Sequence, residues 1–192
     1  MDYKDFLSIL SVAEKLKCNT RHSDTSSGRR ESVAEHSWRL ALMAMLLEDE
    51  FSDVNISKVI KMCLIHDLGE AFTGDISAFD KTDADSAKEE EQYETWVSTF
   101  PEFQKMEFQT LLKEMLELET KEAKLYNALD KMEAVIQHNE TDIRSWIPLE
   151  YELQFTYGEE EVKFSEYLIG LKKYIDAWTQ KKIAEEKSKK ES

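Results

Sequence analysis

Apolar residues return every three or four positions along most of this chain, the spacing of amphipathic helices. Residues 5–17 put Phe6, Ile9, Leu10, Ala13 and Leu16 on one stripe. The pattern breaks over 18–30, where Asn19, Ser23, Asp24, Ser26, Ser27 and Gly28 predict a loop. Ser32-Val33-Ala34-Glu35 has the form of a capping box, so a second helix is expected from there to about Asp49, with His36 near its start and facing the same way as Leu40. Asn55 or Ser57 can cap a third helix ending close to Gly69, and 71–80 reads as a loop around Gly74. An acidic helix over 83–99, with Tyr93, Trp96 and Val97 as its apolar side, stops at Phe100-Pro101. Helices over 102–118 and 120–139 follow, with a small kink between them. Trp146-Ile147-Pro148 interrupts the pattern, and a last helix covers about 160–183. No run reads as a strand. The expected fold is all-α, one irregular helical bundle over residues 1–180 with a charged, frayed tail over 181–192.

Composition agrees with that reading. Five glycines and two prolines in 192 residues leave little material for turns, and the hydrophobic share of 41% is enough for one core. Cys18 and Cys63 stand far apart without metal-finger spacing and read as reduced thiols. The longest apolar stretch, Leu40 to Leu47, is too short to cross a bilayer, and the polar start Met-Asp-Tyr-Lys-Asp is unlike a signal peptide, so a cytoplasmic protein is expected. A net charge of −15 argues against a nucleic-acid polymer as partner, because binding one needs a basic surface. A small phosphorylated ligand needs only a local basic patch, and Arg21, Arg29, Arg30 and Arg39 lie close together in sequence. Most methionines, with Trp96, Trp146 and Trp178, sit at core-like spacings and need no cofactor.

The chemistry concentrates in two places. Glu35-His36 and His66-Asp67-Leu68-Gly69-Glu70 hold two of the four histidines. In a helical segment His66 and Glu70 share a face, as do Asp67 and Glu70. Imidazole with carboxylate is a ligand set for a divalent transition metal, and a spare carboxylate can move a proton. Asp130 lies in an otherwise apolar helical stretch, where an unpaired carboxylate is expensive to bury. His138, eight residues further on, is expected to face the same side.

The order His36…His66-Asp67…Asp130, together with Arg21-His22-Ser23, Thr73-Gly74-Asp75-Ile76 and Leu129-Asp130-Lys131-Met132-Glu133, resembles the HD-domain superfamily of metal-dependent phosphohydrolases. Within it the chain is most similar to the 5'-deoxynucleotidases and related small HD-domain proteins. The resemblance implies that His36, His66, Asp67 and Asp130 hold one divalent ion (manganese, cobalt, iron, zinc or magnesium). It implies Glu70 as general acid or base, Asp67 as a residue that also steers the nucleophile, Asp75 at a nucleotide sugar and Arg21 at the phosphate. His22 stands where the deoxynucleotidase pattern has a tryptophan, which opens the site to ribonucleotides or another phosphomonoester. No histidine stands between Asp67 and Asp130, which favours a single-ion site, and the family pattern gives His138 no ligand role, so the resemblance implies that it is structural. The implied activity is removal of the 5'-phosphate of nucleoside monophosphates by a homodimer. The alternatives are hydrolysis of another small phosphoester, or a silent HD-fold module that senses a ligand or serves as a scaffold.

Overall fold

Capping chemistry sets the start of most helices. In a computed structural model, which describes residues 1–77 and 79–190, Ser32 and Glu35 form the expected capping box at the head of helix α2 (Val33–Leu46). Asn55 caps α3 (Ile56–Ile65) by accepting from the Lys58 amide. Thr82 and Asp85 form a second capping box at α5 (Asp83–Val97), and Thr120 caps α7 (Lys121–Glu140). The chain opens with α1 (Tyr3–Ala13), and α4 (Glu70–Thr73) is a single turn. The remaining helices are α6 (Glu102–Glu117), α8 (Glu150–Thr156) and α9 (Glu166–Lys190). The fold is all-α apart from one short hairpin.

That hairpin is a departure from the expected loop. Strands β1 (Thr20–Asp24) and β2 (Arg30–Ser32) pair antiparallel, Thr20 opposite Ser32 and Asp24 opposite Arg30, with a register irregularity between. Its polar strands show no period-two apolar alternation, so no strand was legible. Other boundaries also moved. α3 ends at Ile65 instead of near Gly69. In place of a kink, α6 and α7 are separate helices, divided where Leu118 takes a left-handed conformation (φ 51°). α8 was not foreseen, and residues 161–164 form a tight turn before α9. α9 includes 181–190, expected to fray: Lys182 donates to the Thr141 carbonyl and Lys181 pairs with Glu185 one turn on. Ala78 of the expected loop, with Glu191 and Ser192 of the expected tail, lies outside the described residues.

Two apolar clusters hold the bundle together. One joins α2, α3, α7 and α9 through Leu40, Val59, Leu125, Leu129, Met132 and Leu168, all inaccessible to solvent. The other packs Leu16, Met62, Tyr93, Val97, Leu111 and Met115 between α3, α5 and α6. Each fully buried aliphatic side chain contributes about 1.5–3 kcal/mol of transfer free energy. Trp146 is buried as expected, whereas Trp178, Met45 and Met106 are exposed. The α1 stripe is only half covered: Phe6 and Leu10 stay about 50% and 48% exposed.

Backbone approach explains two glycines. A Cβ on Gly69 would lie 2.6 Å from Glu89 Cγ of α5, so glycine lets the turn after α3 sit against that helix. Gly158, at φ +81°, lets the α8–α9 connection reach the Lys131 side chain, where a Cβ would lie 2.9 Å away.

Candidate metal centre and substrate cleft

His36 of α2, His66 and Asp67 at the end of α3, and Asp130 of α7 gather around the two imidazole Nε2 atoms. His36 is in the first turn of α2, in line with fully buried Leu40 as the pattern required. His66 is the C-cap of α3, and Asp67 begins a run of i to i−3 turns through Gly69. The tight turns replace the expected α-helical 66–70 segment, so Asp67 and Glu70 are linked at i, i+3 by the Glu70 amide bonding the Asp67 carbonyl (3.0 Å). Asp130 projects from the middle of α7. His36 Nε2 lies 3.0 Å from Asp130 Oδ1 and 3.8 Å from Asp67 Oδ2. His66 Nε2 lies 3.0 Å from Asp67 Oδ2 and 3.6 Å from Asp130 Oδ1, and the two imidazole nitrogens are 3.2 Å apart.

Neighbours fix which ring atoms face inward. His66 Nδ1 donates to the Cys63 carbonyl (2.9 Å), and His36 Nδ1 donates to the fully buried Glu133 carboxylate. Both rings therefore turn an Nε2 lone pair to the centre in their neutral form. Asp67 Oδ2 is buried and has no hydrogen-bond partner among the described residues. Burial and Arg21 oppose a charge on His36, yet the Glu133 and Asp130 carboxylates raise its pKa to about 10. Converging lone pairs, an orphaned carboxylate oxygen and a field that demands positive charge fit a divalent cation held by two imidazoles and two carboxylates.

Glu70 is buried beside this centre, and its Oε2 has no partner among the described residues. Burial first, then the charges of Asp67, Asp75 and Glu89, push its pKa up to about 10, so it carries a proton near neutrality. Asn19 Nδ2 donates to the Glu70 carbonyl (2.5 Å) and fixes this turn against the hairpin.

Arg21 bridges the centre to an adjoining cleft. Its Nη1 lies 3.5 Å from Asp67 Oδ2, and its Nε lies 3.5 Å from Glu31 Oε2, which also accepts from Ser23 Oγ (3.0 Å). Arg21, His22 and Asp75 all line the cleft, with Phe79, His138, Glu150 and Tyr157. The rest of the expected basic patch is spent elsewhere: Arg29 on Glu35, Arg30 on Asp24, and Arg39 on Glu133, Gln137 and Glu140. Lys131 pairs with the outer oxygen of Asp130 (3.5 Å).

Sequence reasoning passed over Glu133 and Glu150. A signal for Glu133 existed, since it falls three residues after Asp130 on an apolar stretch. Glu150 gave none, because its partners His22 and His138 are distant in sequence.

The HD-domain family model matches residues 13–170. The chain belongs to the HD-domain family. Among its relatives is the 5'-deoxynucleotidase HDDC2 of Homo sapiens, 32% identical over 58% of this chain and 55% of that protein. The HDDC2 of Dictyostelium discoideum is 28% identical over 85% of this chain and 86% of its own length. The chain thus spans about half the length of the human relative and most of the amoebal one. A crystal structure named as a predicted metal-dependent phosphohydrolase, from Magnetospirillum magnetotacticum MS-1, superposes with a TM-score of 0.78 at 28% identity, covering 93% of each chain. No helix of the described residues is long and apolar enough to cross a membrane.

Proposed function

We propose that this HD-domain protein is a divalent-metal-dependent phosphohydrolase that removes the 5'-phosphate of nucleoside monophosphates, its catalytic unit spanning residues 1–180. The observation that carries the reading is the gathering of lone-pair donors from His36, His66, Asp67 and Asp130 beside a buried Glu70 whose Oε2 has no partner among the described residues. The names of the relatives point to the same chemistry.

His36, His66, Asp67 and Asp130 would hold the ion, whose chemistry is to make a water nucleophilic and to stabilise charge on a phosphoryl oxygen. Arg21 presents its guanidinium to the phosphate from the cleft side, with Glu31 and Asp67 fixing its orientation. Asp67 borders both Arg21 and the metal centre and so sets the line of attack on phosphorus. Glu70 holds its proton until the ester oxygen departs, then donates it there. Asp75, half-buried on the cleft wall, accepts hydrogen bonds from the sugar hydroxyls. His22 occupies the sugar side, pinned through Nε2 to Glu150 (3.0 Å) and packed edge-on against Phe79. A smaller ring than tryptophan leaves room for a 2'-hydroxyl, so ribonucleotides are accepted. A cytoplasmic homodimer fits the charge and the uncovered apolar side chains of α1.

The test is phosphate release from ribo- and deoxynucleoside mono-, di- and triphosphates by metal-stripped protein resupplied with each of manganese, cobalt, magnesium and zinc. Metal-dependent release from monophosphates alone is expected. Silence across the panel with metal bound would leave another small phosphoester as substrate, or a ligand-sensing role, in its place.

A further inference from the structure

We propose that His22, His138 and Glu150 form a second transition-metal site on the cleft wall, suited to zinc. The inference goes beyond the phosphohydrolase reading and stands whether or not that reading holds. His138 Nδ1 lies 2.8 Å from the Ala134 carbonyl, which can only accept, so Nδ1 carries the proton. In a neutral ring the lone pair on Nε2 then points at Glu150 Oε1, 2.8 Å away. His22 Nε2 approaches the same oxygen from the other side at 3.0 Å. An Nε2 that faces a carboxylate at this distance needs a cation between them, either a second proton on the ring or a bound metal ion. Glu150 is itself fixed, since its other oxygen accepts from the Ile147 amide (2.7 Å). Trp146 Nε1 donates to the His138 carbonyl (3.0 Å) and steadies the end of α7.

His138 thus repeats the arrangement at the first centre, where Nδ1 of each histidine is tied to a protein acceptor and Nε2 turns to a carboxylate. Tetrahedral zinc with bonds of about 2.0–2.1 Å separates its ligand atoms by about 3.3 Å. The observed 2.8 and 3.0 Å need only a small opening, and the three ligand atoms lie within 4.8 Å of one another. Two imidazoles and one carboxylate select a transition metal over magnesium and leave a coordination position free toward the cleft. His138 follows Asp130 by eight residues, about 12 Å along α7. The second ion would therefore share no ligand with the first and would meet a part of the substrate remote from the scissile phosphate.

Metal counting decides it. Full-length protein is stripped with chelator, dialysed against buffered zinc and analysed by plasma mass spectrometry. The expected stoichiometry is two zinc ions per chain in the wild type, one in Glu150→Gln, one in His36→Ala and none in the double variant. Two in His36→Ala but one in Glu150→Gln would support the second site while removing His36 from the first. One ion in the wild type, lost in His36→Ala and kept in Glu150→Gln, would overturn the proposal and leave a proton between His138 and Glu150. If Glu150→Gln fails to fold, His138→Gln takes its place in the count, with one zinc ion again expected and two overturning the proposal. Cobalt gives an independent readout: its visible d–d absorption should persist in His36→Ala and vanish when His138→Gln is added, and its absence from His36→Ala would also overturn the proposal.

Discussion

Glu133→Gln separates the support of the metal centre from the centre itself. The carboxylate is fully buried, with one oxygen bonded to His36 Nδ1 and the other accepting from Arg39 Nε at 2.5 Å. A glutamine has the same shape but one acceptor only. If its oxygen faces His36, its amide nitrogen meets the Arg39 donor, and the reverse choice strands the imidazole. One charge-assisted hydrogen bond is lost either way, worth about 1.5–3 kcal/mol. Arg39 keeps Gln137 and Glu140, each at 2.5 Å, which places the loss near the lower end. Removing the anion behind His36 also makes its Nε2 a poorer donor, and the loss of such a partner lowers metal affinity about 10–100-fold. Urea titration of the stripped protein should therefore show about 2 kcal/mol less stability. Competition with a chromophoric chelator should show affinity down by one to two orders of magnitude. If the urea midpoint falls but affinity stays within about threefold of wild type, Glu133 merely fills the core, and the reasoning fails.

Glu70→Gln should keep its metal while phosphate release falls about 10²–10⁴-fold; near-normal turnover would remove Glu70 as proton donor. With a folded pKa of about 10 against an ordinary 4.5, Glu70 retains a proton that the unfolded chain releases, so the stability it contributes is full below about 4.5 and is lost as pH rises toward 10. Metal-free Glu70→Gln should accordingly outlast wild type in thermal melts by a margin that grows from pH 5 to pH 9, and a constant margin would refute the assignment. Cys18 is exposed, whereas Cys63 is buried and its thiol is held above the ordinary range by burial and then by Asp130. A thiol-reactive dye at pH 8 should label one cysteine quickly in folded protein and both in urea; fast labelling of two would contradict the packing around α3. Lys172 is buried and donates to the Gln154 and Phe155 carbonyls (3.3 and 3.0 Å) and to Asp176 (2.5 Å), joining α8 to α9. Lys172→Met should cost about 2–4 kcal/mol in urea unfolding, and a loss under about 1 kcal/mol would show that the network holds little.

The sequence by itself determined whatever depends on neighbours a few residues apart. Ser32 with Glu35 and Asn55 with Lys58 act within one turn, so the starts of α2 and α3 were readable before any fold was known. His36, His66, Asp67 and Asp130 were legible because costly polar types recur in strings matching a known family pattern, and the structure brings the four together. Tertiary structure decided the rest. The hairpin carries no alternation of its own and is set by its pairing and by the Val33 amide bonding the Asn19 carbonyl (3.0 Å). Glu133 becomes a partner of His36 only when α7 packs on α2 across a sequence separation of 97. His138, expected to be structural, faces the cleft with His22 because α8 delivers Glu150 between them. Local hydrogen bonds and helical periodicity are written in adjacent residues, whereas a buried charge acquires its role from whichever distant group the packed core places against it.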